Sequence, residues 1–193
     1  MREVPSSIAA RLPAAAELFA ERGLDATKIE DVAAATGVPK ATLYYYFSGK
    51  EEILAFLFRD TLRHMADQVR LAAERDGTAA ERLVDVMRAQ LTVMGEQPSV
   101  CRALLGELGR AGRMPAIAAA IRDAYHAPVA QLLREGADDG SLAAVVDVDA
   151  AALVIFGAVT VTGLSQLVDG DSIAVDQASQ ALAKVLLDGL RGS

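Results

Sequence analysis

The stretch Thr27–Phe47, TKIEDVAAATGVPKATLYYYF, decides the fold that this sequence predicts. Two short helical segments meet at Gly37, and glycine permits the backbone conformation that a tight turn between helices requires. Four apolar side chains are spaced to form a small core that both segments share: Val32, Val38, Leu43 and Phe47. The pattern therefore predicts a helix-turn-helix unit, with helices over about 27–35 and 39–47.

The second helix of this unit has an unusual outward face. With Leu43 and Phe47 pointing inward, the outward and flanking positions hold small, hydroxyl and phenol side chains. Exposed aromatic side chains lower solubility, so three successive tyrosines are more typical of a binding surface than of a solvated one. A helix fits the DNA major groove, where small and polar side chains read base edges and hydroxyls bond phosphates. The predicted DNA-contacting residues are Lys40, Ala41, Thr42, Tyr44, Tyr45, Tyr46 and Lys50.

A structural alternative exists for the aromatic end of this helix. Residues 44–47 could pack the small domain against the long helix that follows. We adopt that alternative for Phe47, and for Tyr46 both interpretations stay open. Lys50 begins the following helix, where its ammonium and the N-terminal N–H groups of that helix can meet a phosphate together.

The charge distribution is compatible with a local DNA-binding surface. The 193-residue chain has a net charge of −7, but residues 1–50 carry six basic and six acidic residues. Residues 36–50 hold Lys40 and Lys50 and no acid. The single cysteine, Cys101, excludes an intramolecular disulfide and a cysteine-based zinc site within one chain. We expect a cytoplasmic protein without a metal or another cofactor.

The rest of the chain predicts an all-α protein of about nine helices. Capping boxes, in which a hydroxyl and a carboxylate three residues apart bond orphan backbone N–H groups, are expected at Thr27 with Glu30, Ser48 with Glu51, and Thr78 with Glu81. A break is expected at 112–115. An initial helix is predicted near 13–22, before the two helices of the motif. The remaining predicted helices cover about 49–75, 79–97, 99–110, 116–136, 147–167 and 173–190.

On these residues the chain resembles the TetR family of bacterial transcriptional regulators. The resemblance is dense over about residues 10–55 and is carried by 16–23 (AELFAERG), 26–27, 31–33, 37–47 (GVPKATLYYYF) and 50–54 (KEEIL). It implies an all-α homodimer with a three-helix DNA-binding domain, 1–48, and an effector-binding and dimerisation domain, 49–193. Such proteins usually repress by occupying a palindromic operator until a small effector arrives. Thr42, Tyr44, Tyr45 and Lys50 match positions that commonly touch DNA in the family.

The chain departs from the family pattern at three places. Glu30 stands where the family often has a basic residue that contacts DNA, so one contact is lost. Pro39 replaces a frequent serine that could have bonded a phosphate. Ser48-Gly49 replaces the usual Pro-Ser, which predicts a looser entry into the following helix.

The C-terminal part predicts a cavity lined mainly by aliphatic and methionine side chains, a common arrangement for apolar ligands in helical domains. Plain core packing is the competing interpretation for each residue singly, since methionine fills irregular gaps without any ligand. The candidate ligand-binding residues are Met65, Met87, Leu91, Met94, Cys101, Leu105, Tyr125, Phe156 and Thr160.

The last two helices predict the dimer interface. Residues 150–168 carry no charge, so that helix is expected to be buried on all sides, either in a dimer or within one chain. Packed with the same pair from a second chain, the two helices form a four-helix interface. The candidate interface residues are Ala158, Thr162, Leu182, Val185, Leu186 and Leu190.

The sequence supports other functional classes less well. The sequence has no paired-carboxylate or Ser-His-Asp signature, so an enzyme is not expected. Residues 150–168 approach the length of a membrane span, but acidic flanks such as Asp147 and Asp169 lack the basic residues that orient real spans. Within the family, a transcriptional activator or an effector-independent regulator remains an alternative to a repressor.

Overall fold

A computed structural model describes residues 3–107, 121–170 and 172–188, without the side chains of 104–107. These residues contain no β-strand, which agrees with the predicted all-α fold. A π-helical turn at Arg122–His126 leads directly into the α-helix that begins at Ala127. The α-helices are α1 Ser6–Ala9, α2 Pro13–Ala26, α3 Ile29–Thr36, α4 Lys40–Tyr46, α5 Lys50–Ala73, α6 Ala79–Glu96, α7 Pro98–Glu107, α8 Ala127–Asp139, α9 Val148–Asp169 and α10 Val175–Leu187.

The predicted helices are confirmed to within a few residues wherever the chain is described. Nine α-helices in those ranges exceed one turn, and α1 adds a single turn to a segment for which no helix was predicted. The expected break at 112–115 and the first residues of the helix expected over 116–136 lie outside the described residues. Gly23 has φ of 75° and interrupts α2, which explains why the sequence predicts the helix to end there.

The first compact unit contains the described residues 3–61 and 97–107. Within it, α2 packs on α3 and α7, and α3 packs on α4. The rings of Phe47 and Phe56 meet edge to face with centroids 5.7 Å apart. Side chains from all these helices and from the first half of α5 form its apolar core, including Leu12, Phe19, Val32, Val38, Leu43, Phe47, Ile53 and Phe58.

The second compact unit contains residues 62–96 and the described residues from 121 onward. Helix α6 packs on α8, α9 and α10. Gly163 lets α9 approach α6 closely, because a Cβ there would lie 2.7 Å from Met94 Cε and 3.2 Å from Leu91 Cδ2. Met87, Leu91, Val129, Leu132 and Val159 are among the side chains that fill this core.

Only one of the three predicted capping boxes has the expected partners. Thr78 and Glu81 form a complete box, with Thr78 N donating to Glu81 Oε2 over 2.8 Å and Glu81 N donating to Thr78 Oγ1 over 3.3 Å. The other two were wrong in detail. Asp31, rather than Glu30, accepts from the Lys28 backbone N–H, and Glu52, rather than Glu51, accepts from Ser48 N.

Thr27 does not cap the helix that follows it, as was predicted, but bonds the preceding helix. It is fully buried, and its Oγ1 donates 2.8 Å to the Gly23 carbonyl at the interruption of α2. The hydroxyl therefore completes the end of α2, and α3 begins at Ile29, two residues later than predicted. A hydroxyl between two adjacent helices can serve either one, and here the preceding helix takes it.

Helix α9 has one buried and one exposed apolar face. Ala152, Ile155, Val159 and Leu164 are among its buried residues, whereas Leu153, Val154, Val161 and Val168 are 55–71% exposed. By length and composition it is the one helix in the described ranges that qualifies as a membrane span, with a mean hydropathy of 1.9 over a window that is 33% buried. The burial on all sides expected from its charge-free sequence is absent from the single chain.

Candidate nucleic-acid interface

Helix α4 presents a hydroxyl and phenol face because its two apolar anchors are completely buried. Leu43 is 0% exposed and Phe47 is 1% exposed, while Tyr44 and Tyr45 are 52% and 58% exposed. Of the other predicted contacts, Lys40 and Ala41 are exposed, and Thr42 and Tyr46 are half-buried. The Tyr46 ring lies edge-on to Tyr45, with centroids 4.9 Å apart. The buried anchors thus position one continuous face of the helix outward.

The turn before α4 is held by local hydrogen bonds. Thr36 Oγ1 donates 2.7 Å to the Val32 carbonyl and accepts 3.2 Å from Val38 N. Gly37 adopts the left-handed conformation, with φ of 61°. The Arg11 guanidinium donates to the Gly37 carbonyl and thereby ties the segment before α2 to the turn. These contacts set where α4 begins relative to α3.

Lys40, the first residue of α4, is paired with Glu30 in the first turn of α3. The ammonium donates to Glu30 Oε1, and it also lies 5.8 Å from the centroid of the Tyr44 ring. The hydrogen bond between the two side chains raises the pKa of Lys40 and lowers the pKa of Glu30. Both groups are therefore charged at neutral pH, and the pair lies on the exposed surface.

Lys50 is anchored by backbone carbonyls. Its Nζ donates 3.0 Å to the Asp25 carbonyl and 2.8 Å to the Thr27 carbonyl, at the junction of α2 and α3. An ammonium has three N–H donors, so this geometry leaves one for another acceptor. The sequence predicted a phosphate contact here but gave no sign of the two carbonyls, because they come from residues more than twenty positions away.

The predicted ligand-binding residues are divided between the two compact units. Seven of them belong to the second compact unit: Met65, Met87, Leu91, Met94, Tyr125, Phe156 and Thr160. Cys101 lies in the first unit, where burial raises the pKa of its thiol to about 11. Leu105 lies in α7, and its side chain is outside the described residues. The nine-residue cavity stays a prediction.

Two polar side chains in the core of the second unit lack a full set of partners. Gln90, 1% exposed, donates from Nε2 to Thr160 Oγ1 over 2.8 Å, but its Oε1 has no partner in the described structure. Tyr125, also 1% exposed, has a hydroxyl with no partner there, and burial raises its pKa. Buried polar atoms are usually satisfied, so each orphan marks a place for a water or a ligand group.

These two orphans share one side of α9. The Tyr125 ring stacks edge to face on Phe156 at 5.1 Å, and Gln90 bonds Thr160. Phe156 and Thr160 are four residues apart, so they lie on one face of the helix. Sequence reasoning missed Gln90, although an uncharged polar residue between Met87, Leu91 and Met94 on an apolar helical stripe was a usable signal.

A surface groove of about 650 Å³ lies beside the π-helical turn, lined by residues that include Arg122, His126, Asp147, Asp149 and Leu153. His126 contacts Phe156 ring to ring at 5.3 Å, and its Nε2 is buried without a partner among the described residues. Burial, and then the nearby Arg122 charge, lower the pKa of His126. The imidazole is therefore neutral at neutral pH.

The predicted dimer residues divide by burial. Val185 is 46% exposed, and Ala158, Thr162 and Leu186 are half-buried. Leu182 is only 9% exposed, because it packs within its own chain. Leu190 lies outside the described residues. Sequence reasoning missed the valines at 154, 161 and 168, whose seven-residue spacing places them on one side of α9.

Helices α3 and α4 with the turn between them form a helix-turn-helix unit, the arrangement found in many DNA-binding regulators of transcription. Two family profiles match the chain, "Bacterial regulatory proteins, tetR family" over residues 12–56 and "Tetracyclin repressor-like, C-terminal domain" over residues 76–163. The chain belongs to the TetR family of bacterial regulatory proteins, as the resemblance in its first 55 residues predicted.

Relatives match along almost the whole chain. The fatty acid metabolism regulator protein of Bacillus subtilis is 23% identical over 180 residues, which is 93% of each chain. The HTH-type transcriptional repressor KstR2 of Mycolicibacterium smegmatis is 25% identical over 197 residues, covering 99% of this chain and 96% of that protein. The crystal structure of the transcriptional regulator FadR from Bacillus subtilis in complex with stearoyl-CoA has the same fold, with a TM-score of 0.81, 22% identity and coverage of 95% and 100%.

Proposed function

We propose that this protein is a ligand-responsive, cytoplasmic transcriptional repressor that binds a palindromic operator as a homodimer and is released by a small, largely apolar effector. Residues 1–48 form the DNA-binding domain, and residues 49–193 bind the effector and dimerise. The observation that carries the proposal is the exposed phenol and hydroxyl face of α4, held outward by the fully buried Leu43 and Phe47. An isolated surface helix gains nothing from two such exposed tyrosine rings.

On the DNA, α4 enters the major groove. Thr42 and Ala41 are small enough to approach base edges, where a hydroxyl bonds polar groups and a methyl packs on thymine. Tyr44 and Tyr45 bond phosphates through their hydroxyls and set the register. Lys50 offers its remaining N–H to a phosphate from a position already ordered by Asp25 and Thr27.

The test begins with selection of duplex fragments from a random pool by the purified protein. Tyr44→Phe combined with Thr42→Ala removes two hydroxyls and leaves the buried anchors of α4 intact, so the variant is expected to fold and to lose operator binding. Arg134→Ala, an exposed position of α8, serves as the control and is expected to bind like the parent protein. Unchanged operator affinity in the double variant would remove α4 from the interface.

A reporter gene under the selected operator separates repression from activation. Deletion of the regulator is expected to raise expression, and addition of the effector to the intact strain is expected to do the same. Expression that falls on deletion would identify an activator. Expression that no candidate effector changes would favour an effector-independent regulator.

We place the effector in the core of the second unit, against Phe156, Tyr125 and Gln90. The surroundings are aliphatic and sulfur-containing, which suits an acyl chain or another lipid-like body. The orphan Tyr125 hydroxyl can donate to a neutral oxygen, and Gln90 Oε1 can accept from a hydroxyl or amide. The relatives support this chemistry, since one regulates fatty acid metabolism and one was crystallised with stearoyl-CoA.

The effector site is tested with stearoyl-CoA, stearic acid and 1-octadecanol as probes in calorimetry and operator-release assays. Tyr125→Phe removes the hydroxyl and keeps the ring, so it is expected to weaken binding of the active probe. The unliganded variant is expected to melt at the same or a higher temperature, because an unsatisfied buried hydroxyl costs roughly 1–3 kcal/mol. Full probe affinity in Tyr125→Phe would show that this hydroxyl does not recognise the effector.

The exposed apolar face of α9 is proposed to meet its copy in a second chain, next to α10. Leu153, Val154, Val161 and Val168 are each more than half exposed, and a soluble monomer rarely shows a contiguous patch of this kind. The flanking acids Asp147, Asp149 and Asp169 are poorly suited to a membrane surface, which attracts basic residues.

Sedimentation analysis of two valine variants tests the interface. Val161→Asp places a charge in the middle of the α9 face and is expected to yield monomers. Val146→Asp is the matched control, because Val146 is fully exposed in the loop before α9 and the same charge there has nothing to disrupt. Dimers that persist in Val161→Asp would locate the interface elsewhere.

A further inference from the structure

An acidic side chain lies at the edge of the proposed DNA-contact surface. Glu30, 59% exposed at the side chain, accepts from the ammonium of Lys40, which is 48% exposed and lies next to the Tyr44 ring. Lys28 adds a second positive charge near Glu30. Glu30 does not cap α3, because Asp31 holds the backbone N–H of Lys28. The partner that the carboxylate has on the recognition helix is therefore a cation.

We propose that Glu30 limits the DNA affinity of the recognition helix by holding Lys40 in an ion pair. The inference rests on the proposed DNA-binding function of α4. A phosphate that approaches Lys40 must compete with the carboxylate for the ammonium. This competition weakens the phosphate contact of Lys40, whatever the DNA sequence.

The penalty acts on cognate and non-cognate complexes alike. A phosphate contact of Lys40 carries no sequence information, and it can form with any duplex. A cost placed on a contact that both complexes make lowers both affinities by the same factor. Glu30 therefore lowers DNA affinity in general and leaves the ratio between operator and bulk DNA affinity unchanged.

A purely structural role for the pair makes the opposite prediction. If Glu30 and Lys40 chiefly fastened α3 to α4, breaking the pair would misplace the recognition helix and lower operator affinity. An exposed ion pair contributes little to stability. Helix α3 already packs on α4, and each buries an apolar side chain completely, Val32 in α3 and Leu43 in α4. The direction of the affinity change thus separates the two roles.

The experiment measures binding of the full-length protein to the selected operator and to a scrambled duplex of equal length, by fluorescence anisotropy between 50 and 300 mM KCl. Four variants are compared: Glu30→Gln, Lys40→Met, the double variant, and Glu21→Gln. Glu21 is an exposed acid of α2, so its substitution controls for the change in net charge. Melting temperatures confirm that each variant is folded.

Glu30→Gln is expected to raise affinity for the scrambled duplex by about three- to tenfold and to steepen its logarithmic salt dependence by about one unit, the value for one additional phosphate contact. Its affinity for the operator is expected to rise by a similar factor. Lys40→Met is expected to weaken both complexes. The double variant is expected to behave like Lys40→Met, because Glu30 acts through Lys40.

Three results would overturn the proposal. Lower affinity of Glu30→Gln for both duplexes would show that the pair positions α4. An equal gain in Glu30→Gln, Glu21→Gln and the double variant would show a general charge effect. No change in Glu30→Gln would show that the pair is irrelevant on DNA. Failure of the proposed function is distinct, since there Thr42→Ala with Tyr44→Phe would bind the operator normally.

Discussion

At the scale of single residues, Arg11 and Gly37 control the turn that precedes the recognition helix. Arg11 donates to the Gly37 carbonyl, and a Cβ at position 37 would collide with the same guanidinium. Gly37 also has a positive φ of 61°, which side chains with a Cβ tolerate poorly. Glycine is thus required here twice, once for its backbone and once for the space it leaves.

Gly37→Ala is expected to lower operator affinity and stability together, whereas Gly140→Ala is expected to affect stability alone. Gly140 has φ of 76°, and a Cβ at this position would have no neighbouring atom within 4 Å. Only the strain of the left-handed backbone, roughly 1–2 kcal/mol, therefore applies. At Gly37 the displaced Arg11 adds a disturbance of the turn. Urea unfolding and anisotropy titrations measure the two effects, and equal operator affinities in both variants would contradict this role of Arg11.

His126 is expected to make stability depend on pH below neutrality. Burial lowers its pKa in the folded protein from the usual value near 6.5, so the unfolded chain binds the proton more readily. Stability from this group is complete above about pH 6.5 and declines as the pH falls through 6.5 toward the lowered value.

Urea unfolding between pH 7.5 and 5.5 measures this decline. His126→Gln is expected to remove the contribution of this group to the slope, whereas His64→Gln, which leaves His126 in place, is expected to retain it. A slope of equal size in both variants would mean that another group titrates in this range.

At the scale of elements, α8 ends in a closely packed turn. Gly140 carries the left-handed conformation after the helix, and Leu142 N donates 2.9 Å to the Gly136 carbonyl, so that Leu142 folds back onto the helix. A Cβ at Gly136 would lie 2.7 Å from Leu142 Cγ and 2.8 Å from its Cβ. Atoms so near the backbone of Leu142 cannot move aside independently of it.

Gly136→Ala is therefore expected to destabilise the protein by about 1–3 kcal/mol, the usual cost of overpacking, although alanine is the better helix former by about 1 kcal/mol. Chemical denaturation measures the change. The double variant Gly136→Ala with Leu142→Ala relieves the collision and is expected to recover part of the loss. A stabilised single variant would show that the turn at Leu142 yields easily.

Most helix boundaries were predictable because they have local signals, and the exceptions have physical reasons. The Thr78 and Glu81 box and the glycines at 23, 37 and 140 stop or start helices through contacts within a few residues. The π-helical turn at Arg122–His126 has no such signal, since one widened turn leaves the composition helical. The partners of Thr27 were not predictable, because the choice between two helices depends on where α2 is interrupted.

At the scale of the whole molecule, the outward face of α4 was predictable, whereas the division of the ligand candidates between two units was not. The face of α4 follows from the positions of Leu43 and Phe47 on a short helix. The nine ligand-binding candidates come from helices far apart in sequence, and only tertiary packing assigns Cys101 to one unit and Met87 to the other. Helix α5 contributes Ile53 to the first unit and Met65 to the second.

Coupling between effector and operator is expected to be reciprocal. A hundredfold loss of operator affinity on effector binding corresponds to about 2.7 kcal/mol, and linkage requires that operator DNA weaken effector binding by the same factor. The proposed structural basis is a change in the distance between two recognition helices, which must be about 34–36 Å apart to enter successive major grooves.

Calorimetry of the active probe with and without operator DNA measures this factor. An effector affinity that DNA leaves unchanged, together with unaltered operator binding, would remove effector release from the proposed mechanism.

The dimerisation proposed for the exposed valines of α9 has a consequence for gene dosage. When the protein is scarce, most of it is monomeric, and the concentration of dimer is then proportional to the square of the protomer concentration. Halving synthesis would then reduce the concentration of dimer about fourfold. Operator occupancy would therefore depend steeply on expression level even without an effector.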